Sequence, residues 1–227
     1  MPGQSTCSPP SFARIQFMRY RSITIEGNIG AGKTTLASLL SERLGARLIL
    51  EEFDDNPFLA KFYENPTQYA FPVELFFMAE RFKQLKDIHS SGELFPQQTV
   101  SDYLFFKSLL FSKVNLPESE YQLYQKLFDI LHPQLPQPDL LIYLHQSVDK
   151  LQENIRRRNR SYEQQISDAY LQSIQDMYQQ YMRQYPMRTL YLDGSALDFV
   201  ENPEHLDRLL PLLDQEYSIG IHHVSLT

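Results

Sequence analysis

Nine residues, Gly27-Asn28-Ile29-Gly30-Ala31-Gly32-Lys33-Thr34-Thr35, constrain the fold of this chain more than any other stretch. Gly27 to Thr34 satisfies G-x-x-x-x-G-K-[ST]. Before it, residues 21–26 alternate in polarity and read as a strand. After it, residues 32–44 read as a helix with Gly45 as its stop. The motif has mechanical meaning only in this strand–loop–helix setting. Its glycines let consecutive backbone N–H groups converge, and the helix N-terminus adds positive potential. Lys33 supplies a mobile charge for the outer phosphates of a nucleoside triphosphate, and Thr34 a hydroxyl for Mg²⁺.

The rest of the chain repeats the alternation of strand and helix. Short apolar runs at 46–51, 97–103, 139–144 and 188–194 are predicted strands, the last of these closing the series. Asp54-Asp55-Asn56-Pro57 reads as a turn, and Pro72 is predicted to open a long helix reaching residue 89. On that helix Glu74, Phe77, Met78 and Arg81 share one face. Further helices are expected over 148–158 and 163–184. The pattern predicts one α/β domain over 19–227, a three-layer fold whose central parallel sheet is covered by helices on both faces. Residues 1–18, rich in Pro, Ser and Gly, are expected to be a disordered extension. They lack the apolar core of a secretory signal, and no run approaches the roughly 20 apolar residues of a membrane span.

Charge narrows the partners. A net charge of −7 disfavours a nucleic-acid partner, which calls for a broad basic face. Against that background, Arg156-Arg157-Arg158-Asn159-Arg160 places four of 21 basic residues within five positions. A small anionic ligand would explain the cluster; from composition alone, a solvated helix face explains it equally well. The single cysteine, Cys7, agrees with a reducing cytoplasm. No N-K-x-D guanine reader occurs, and Asp139 precedes its strand instead of ending it, a poor position for a Mg²⁺-holding acid.

Taken in order, "ITIEGNIGAGKTTL", "EEFDDNPFLAKFYENP", "YAFPVELFF", "PDLLIYLH" and "RRRNRSYEQQI" resemble the deoxynucleoside kinases, above all the bacterial deoxyadenosine and deoxyguanosine kinases. The similarity spans about residues 22–200. It implies a P-loop kinase fold, ATP and Mg²⁺ as cofactors, a deoxynucleoside acceptor and a homodimer. By the resemblance, Glu51 is the acid that activates the 5′-hydroxyl, with Glu52 as its neighbouring competitor and Phe53 in the family's apolar position. Tyr63 and Glu163 match the pair that holds the 3′-hydroxyl. Arg158 and Arg160 match the arginines of a lid at about 156–163, and Arg156 could share a helix face with Arg160 and Glu163. Phe111 matches a phenylalanine that stacks on the base. The loop 193–199 matches the one that holds the donor's adenine.

Two departures stand out. Family members commonly carry Glu/Asp-Arg-Ser after the third strand, and this chain has Ser101-Asp102-Tyr103. Asp102 keeps the acid for Mg²⁺ or the 5′-hydroxyl, although it also suits a helix N-cap; Tyr103 replaces the arginine, and Lys107 is a candidate to restore its charge. The family's base-reading glutamine is here Glu74, which when ionised only accepts hydrogen bonds. A carboxylate suits guanine and disfavours thymine, so a purine acceptor is expected. The alternatives are a nucleoside monophosphate kinase and a nucleotide-binding regulator without catalysis.

Overall fold

The computed structural model describes residues 19–52, 56–90 and 97–226. The expected extension over 1–18, Cys7, Phe53 and the turn residues Asp54 and Asp55 lie outside them. Six strands form one sheet: β1 (Ser22–Glu26), β2 (Arg47–Ile49), β3 (Thr99–Ser101), β4 (Leu140–His145), β5 (Arg188–Asp193) and β6 (Gly220–Val224). Their spatial order is β2-β3-β1-β4-β5-β6, and every pairing is parallel. Parallel neighbours need crossovers, and helices supply them. In chain order these are α1 (Lys33–Leu44), α2 (Leu59–Glu64), α3 (Pro66–Ser90), α4 (Lys107–Asn115), α5 (Glu118–Leu131), α6 (Val148–Arg158), α7 (Asp168–Gln184) and α8 (Glu204–Leu213).

Successive strand residues face opposite layers. Ile142 and Leu144 of β4 pack with Leu36 and Leu40 of α1 and Leu209 of α8. Tyr143, between them, packs with Phe106, Phe128 and Ile174 on the other face. The three-layer arrangement predicted from the sequence is the one observed.

Several local expectations differ. Residues 188–193 are not the last strand: β6 follows α8 and pairs with β5 at the edge. The third helix does not open at Pro72. It begins at Pro66 and carries Pro72 inside it, because Ala70 and Val73 on either side are buried against neighbouring helices. The helix after the arginine cluster starts at Asp168 instead of 163, with the Ser167 hydroxyl accepting from the Tyr170 N–H at its start. Asp139 has a structural use, accepting hydrogen bonds from the backbone N–H groups of Arg21 (2.8 Å) and Ser22 (3.0 Å) where β1 meets β4. Asp139→Ala is expected to lower stability by about 1–3 kcal/mol, read as a lower urea midpoint with unchanged ATP affinity.

Candidate active site

The site lies where the C-terminal ends of β1, β2 and β3 open toward α3, α4 and α7, the usual crevice of an open parallel sheet. The Gly27–Thr34 loop leaves β1 at its base. Gly30 and Gly32 have φ of 79° and 94°, and a Cβ at Gly27 would stand 2.4 Å from the Leu144 carbonyl oxygen. The loop conformation therefore requires glycine. Asn28 braces it by donating from Nδ2 to the Leu171 carbonyl (2.7 Å) and accepting from the Ile29 N–H (2.8 Å). Asn154 Nδ2 holds the Gly30 carbonyl at 2.8 Å. Glu26, fully buried behind the loop, accepts from the N–H groups of Gly27 and Leu104 and from the Tyr178 hydroxyl.

Lys33 Nζ donates to the Asn28 carbonyl at 2.8 Å. Burial, and then the nearby Lys107, pull its ammonium down to about 8 against the opposing pull of Glu26, Glu51 and Asp102. Phosphate oxygens beside Lys33 would favour its charged form further. Thr34 Oγ1 donates to Asp102 Oδ2 at 2.5 Å, so the two predicted Mg²⁺ residues are adjacent. Mg²⁺ typically takes one or two protein oxygens and keeps waters and phosphates as its other ligands, and this sparse pair fits that habit. Asp102 is not a helix N-cap. Its Oδ1 accepts from the Glu51 N–H at 2.8 Å, while α4 starts at Lys107 after Phe106. Ala31, Gly32 and Thr35 line a small cleft on the other side of the loop, facing Leu197 and Phe199 of the 193–199 loop and Lys150 and Arg157 of α6.

A second cavity of about 330 Å³ holds the predicted acceptor residues. Ile29, Lys33, Glu51, Tyr63, Glu74, Phe111, Arg158, Arg160 and Glu163 all line it, although they come from six separate segments. Glu51 is the most heavily compensated. Arg81 Nε donates to its Oε1 at 2.7 Å and Lys107 Nζ meets its Oε2 at 2.5 Å. Burial alone would raise the Glu51 carboxyl, but the Arg81 and Lys107 charges outweigh burial and hold it well below the usual carboxylate range. Glu52 sits instead within reach of Gln84 Nε2 (3.2 Å).

These contacts account for the missing arginine. Tyr103 is buried, and its hydroxyl donates to Gln84 Oε1 at 2.5 Å. Gln84 in turn donates to the Leu50 carbonyl at 3.1 Å. The tyrosine thus supports the backbone before Glu51, and the positive charge comes from Arg81 and Lys107. Lys107 was a sequence candidate. Arg81 was legible only as a neighbour of Glu74 on one helix face.

Tyr63 stacks on Tyr162 with ring centroids 5.7 Å apart. The buried Glu163 pairs with both Arg158 and Arg160. The arginine run does not form one continuous helical face: α6 ends at Arg158, and Asn159 takes a left-handed conformation (φ 54°), so Arg160 belongs to the turn that leads to Glu163. Arg156 and Arg157 are exposed, and Arg156 is not among the residues lining the acceptor cavity. Asn115, at the end of α4, donates to Glu74 at 2.6 Å and was not foreseen, because no motif marks it.

The sequence profile of the deoxynucleoside kinases matches residues 23–216. The chain is 35% identical over 192 residues to deoxyguanosine kinase of Bacillus subtilis (strain 168), covering 82% of this chain and 93% of that protein. It is 32% identical over 208 residues to deoxyadenosine kinase of Lactobacillus acidophilus, covering 86% and 95%. Among solved structures, deoxyadenosine kinase from M. mycoides with bound dATP superimposes with a TM-score of 0.73 at 25% identity, over 84% of this chain and 99% of that one. With the phosphate loop, the Glu51 carboxylate held by two cations, and Arg158 and Arg160 paired with Glu163 on the fold of that structure, this chain belongs to the deoxynucleoside kinase family.

Proposed function

We propose that the chain transfers the γ-phosphoryl group of Mg-ATP to the 5′-hydroxyl of a purine deoxynucleoside, giving the 5′-monophosphate. The observation that carries this reading is the Glu51 carboxylate, kept ionised by Arg81 and Lys107 in the same cavity as Lys33, Arg158 and Arg160. Phosphoryl transfer depends on positioning and on neutralising oxygen charge. An ionised carboxylate retains lone pairs for the 5′-hydroxyl after accepting from both cations. Held so far below the usual range it is a weak base, so its work is to orient the hydroxyl and take the proton late, as the new O–P bond forms.

Lys33 and the two arginines stabilise the charge on the transferring group, the guanidinium forks giving paired hydrogen bonds. Thr34 and Asp102 would hold Mg²⁺, which when bound neutralises phosphate oxygens. Tyr63 and Glu163 take the 3′-hydroxyl, Phe111 stacks on the base and Glu74 reads its edge. Purine preference is supported by the acidic reader and by the deoxyguanosine and deoxyadenosine kinases named above. The same reading includes one kinase domain over 19–227 with a lid at 156–163, no nucleic-acid partner and residence in the cytoplasm. It also includes a homodimer, supported by Leu123 and Ile130, exposed seven positions apart on α5. Among the described residues no helix is long and apolar enough to cross a membrane.

The test is ADP release from Mg-ATP with each of the four deoxynucleosides, beside dAMP, dTMP and a blank without acceptor. Turnover is expected with deoxyguanosine or deoxyadenosine and well above that with thymidine. Turnover confined to a monophosphate would assign the chain to the monophosphate kinases. ATP binding with no turnover on any acceptor would leave a regulator without catalysis.

A further inference from the structure

The two carboxyl oxygens of Glu74 are not equivalent. Oε1 accepts from Asn115 Nδ2 at 2.6 Å, whereas Oε2 is buried and has no hydrogen-bond partner. Glu74 is only 3% exposed, yet it lines the acceptor cavity, which has room for the missing partner. A buried oxygen left in this way calls for a donor if ionised, or for an acceptor if it carries the proton. Because a donor already occupies Oε1, the proton of the neutral acid sits on Oε2.

We propose that Glu74 selects between 6-oxopurine and 6-aminopurine deoxynucleosides by its protonation state, the carboxylate accepting N1–H of guanine and the carboxylic acid donating to N1 of adenine. This rests on the deoxynucleoside kinase reading above and deepens it. At N1 the two purines have opposite polarity, a donor in guanine and an acceptor in adenine. One oxygen that changes from acceptor to donor on gaining a proton is therefore enough to invert the preference. A glutamine at this position presents both roles at every pH and cannot make that change.

The groups around Glu74 favour a titration within reach of neutral pH. Burial is the largest influence and pushes the carboxyl up. Asn115 and Lys107 of α4 and Arg81 of its own helix pull it down, while Glu51 beyond β2 pushes it up, leaving it at about 7. From α5, the Tyr124 hydroxyl donates to the Glu74 backbone carbonyl at 3.1 Å and so leaves Oε2 alone. From α7, Tyr170 engages Asn115. Both tyrosines are held above their ordinary range by burial and stay neutral throughout the window.

The experiment places deoxyguanosine and deoxyadenosine in one mixture with Mg-ATP and measures the ratio of dGMP to dAMP formed between about pH 6 and about pH 8. Competition cancels every titration the two reactions share, and neither base changes its own protonation in this window. The ratio is expected to rise roughly tenfold or more across it, with Glu74→Gln giving a ratio that does not move with pH. A flat ratio in the unaltered protein overturns the inference while leaving the kinase reading intact, as does an unchanged slope in Glu74→Gln. Failure to phosphorylate either nucleoside at any pH overturns both.

Discussion

Replacing Glu51 by glutamine is expected to lower kcat for deoxynucleoside phosphorylation by about 10²- to 10⁴-fold, with the KM for ATP nearly unchanged. Glutamine keeps the size of the side chain and can still accept a hydrogen bond, so acceptor binding survives better than the chemical step. What it loses is the negative charge that, in the proposed reaction, takes the hydroxyl proton as the O–P bond forms. Single-turnover rates with bound ATP and saturating acceptor separate this from weakened binding, and a drop of less than about tenfold would remove Glu51 from the reaction. The pH profile gives a second reading. Burial raises and the Arg81 and Lys107 charges more strongly depress the Glu51 carboxyl, so its folded pKa lies below the unfolded 4.5. The stability this linkage contributes is fully present above about pH 4.5 and is lost as the pH falls toward the depressed value. Glu51 thus stays ionised through the acid range in which the kinase would be assayed.

Arg81→Met is expected to lower folding stability by about 3–5 kcal/mol, the cost of removing one partner of a buried ion pair. Arg81 is 4% exposed and reaches the Glu51 carboxylate through Nε (2.7 Å) and Nη2 (2.5 Å). Its Nη1 donates to Ser108 Oγ at 2.7 Å, and its guanidinium lies 4.9 Å from the centre of the Phe77 ring. Methionine fills much of the volume without the charge or the donors. Glu51 would retain Lys107, so its pKa would rise and an acid limb would appear in the rate profile. A thermodynamic cycle with Glu51→Gln is the check: the double variant should be less destabilised than the sum of the single ones. If the effects simply add, or Arg81→Met costs under about 1 kcal/mol, the pair is not the support of the site.

The ease of reading the fold varied along the chain. β4 stood out because its LLIYL run, 140–144, is apolar and buried on both faces. β6, with sequence GIHHV, has one neighbour and a half-exposed surface, so its composition lacks that imprint. Pro72 misled in the opposite way. Proline lacks the N–H that would bond the carbonyl four residues earlier and disfavours a helix interior, yet α3 continues through it because burial of Ala70, Val73 and Met78 favours the helix. α6 ends at Arg158, as expected, but Asn159 then takes a left-handed turn that removes Arg160 from the helix face of Arg156, a conformation asparagine tolerates but does not announce.

The residues that touch phosphate and substrate in the proposed reading were recognisable from the chain alone, Glu51, Tyr63, Glu74, Phe111 and Glu163 through their resemblance to the family's motifs, others because a short segment fixes their geometry. The phosphate loop is such a case: strand, glycine turn and helix are contiguous, and neighbouring residues determine where the N–H groups point. Compensation of the Glu51 carboxylate was decided elsewhere. Arg81 and Lys107 lie 30 and 56 positions from Glu51, on α3 and α4, and no spacing rule connects them. The unpartnered oxygen of Glu74, with Asn115 41 positions away, is of the same kind. Backbone conformation depends on adjacent residues, whereas Coulomb energy and desolvation depend on distance and burial, and those exist only once the helices have packed on the sheet.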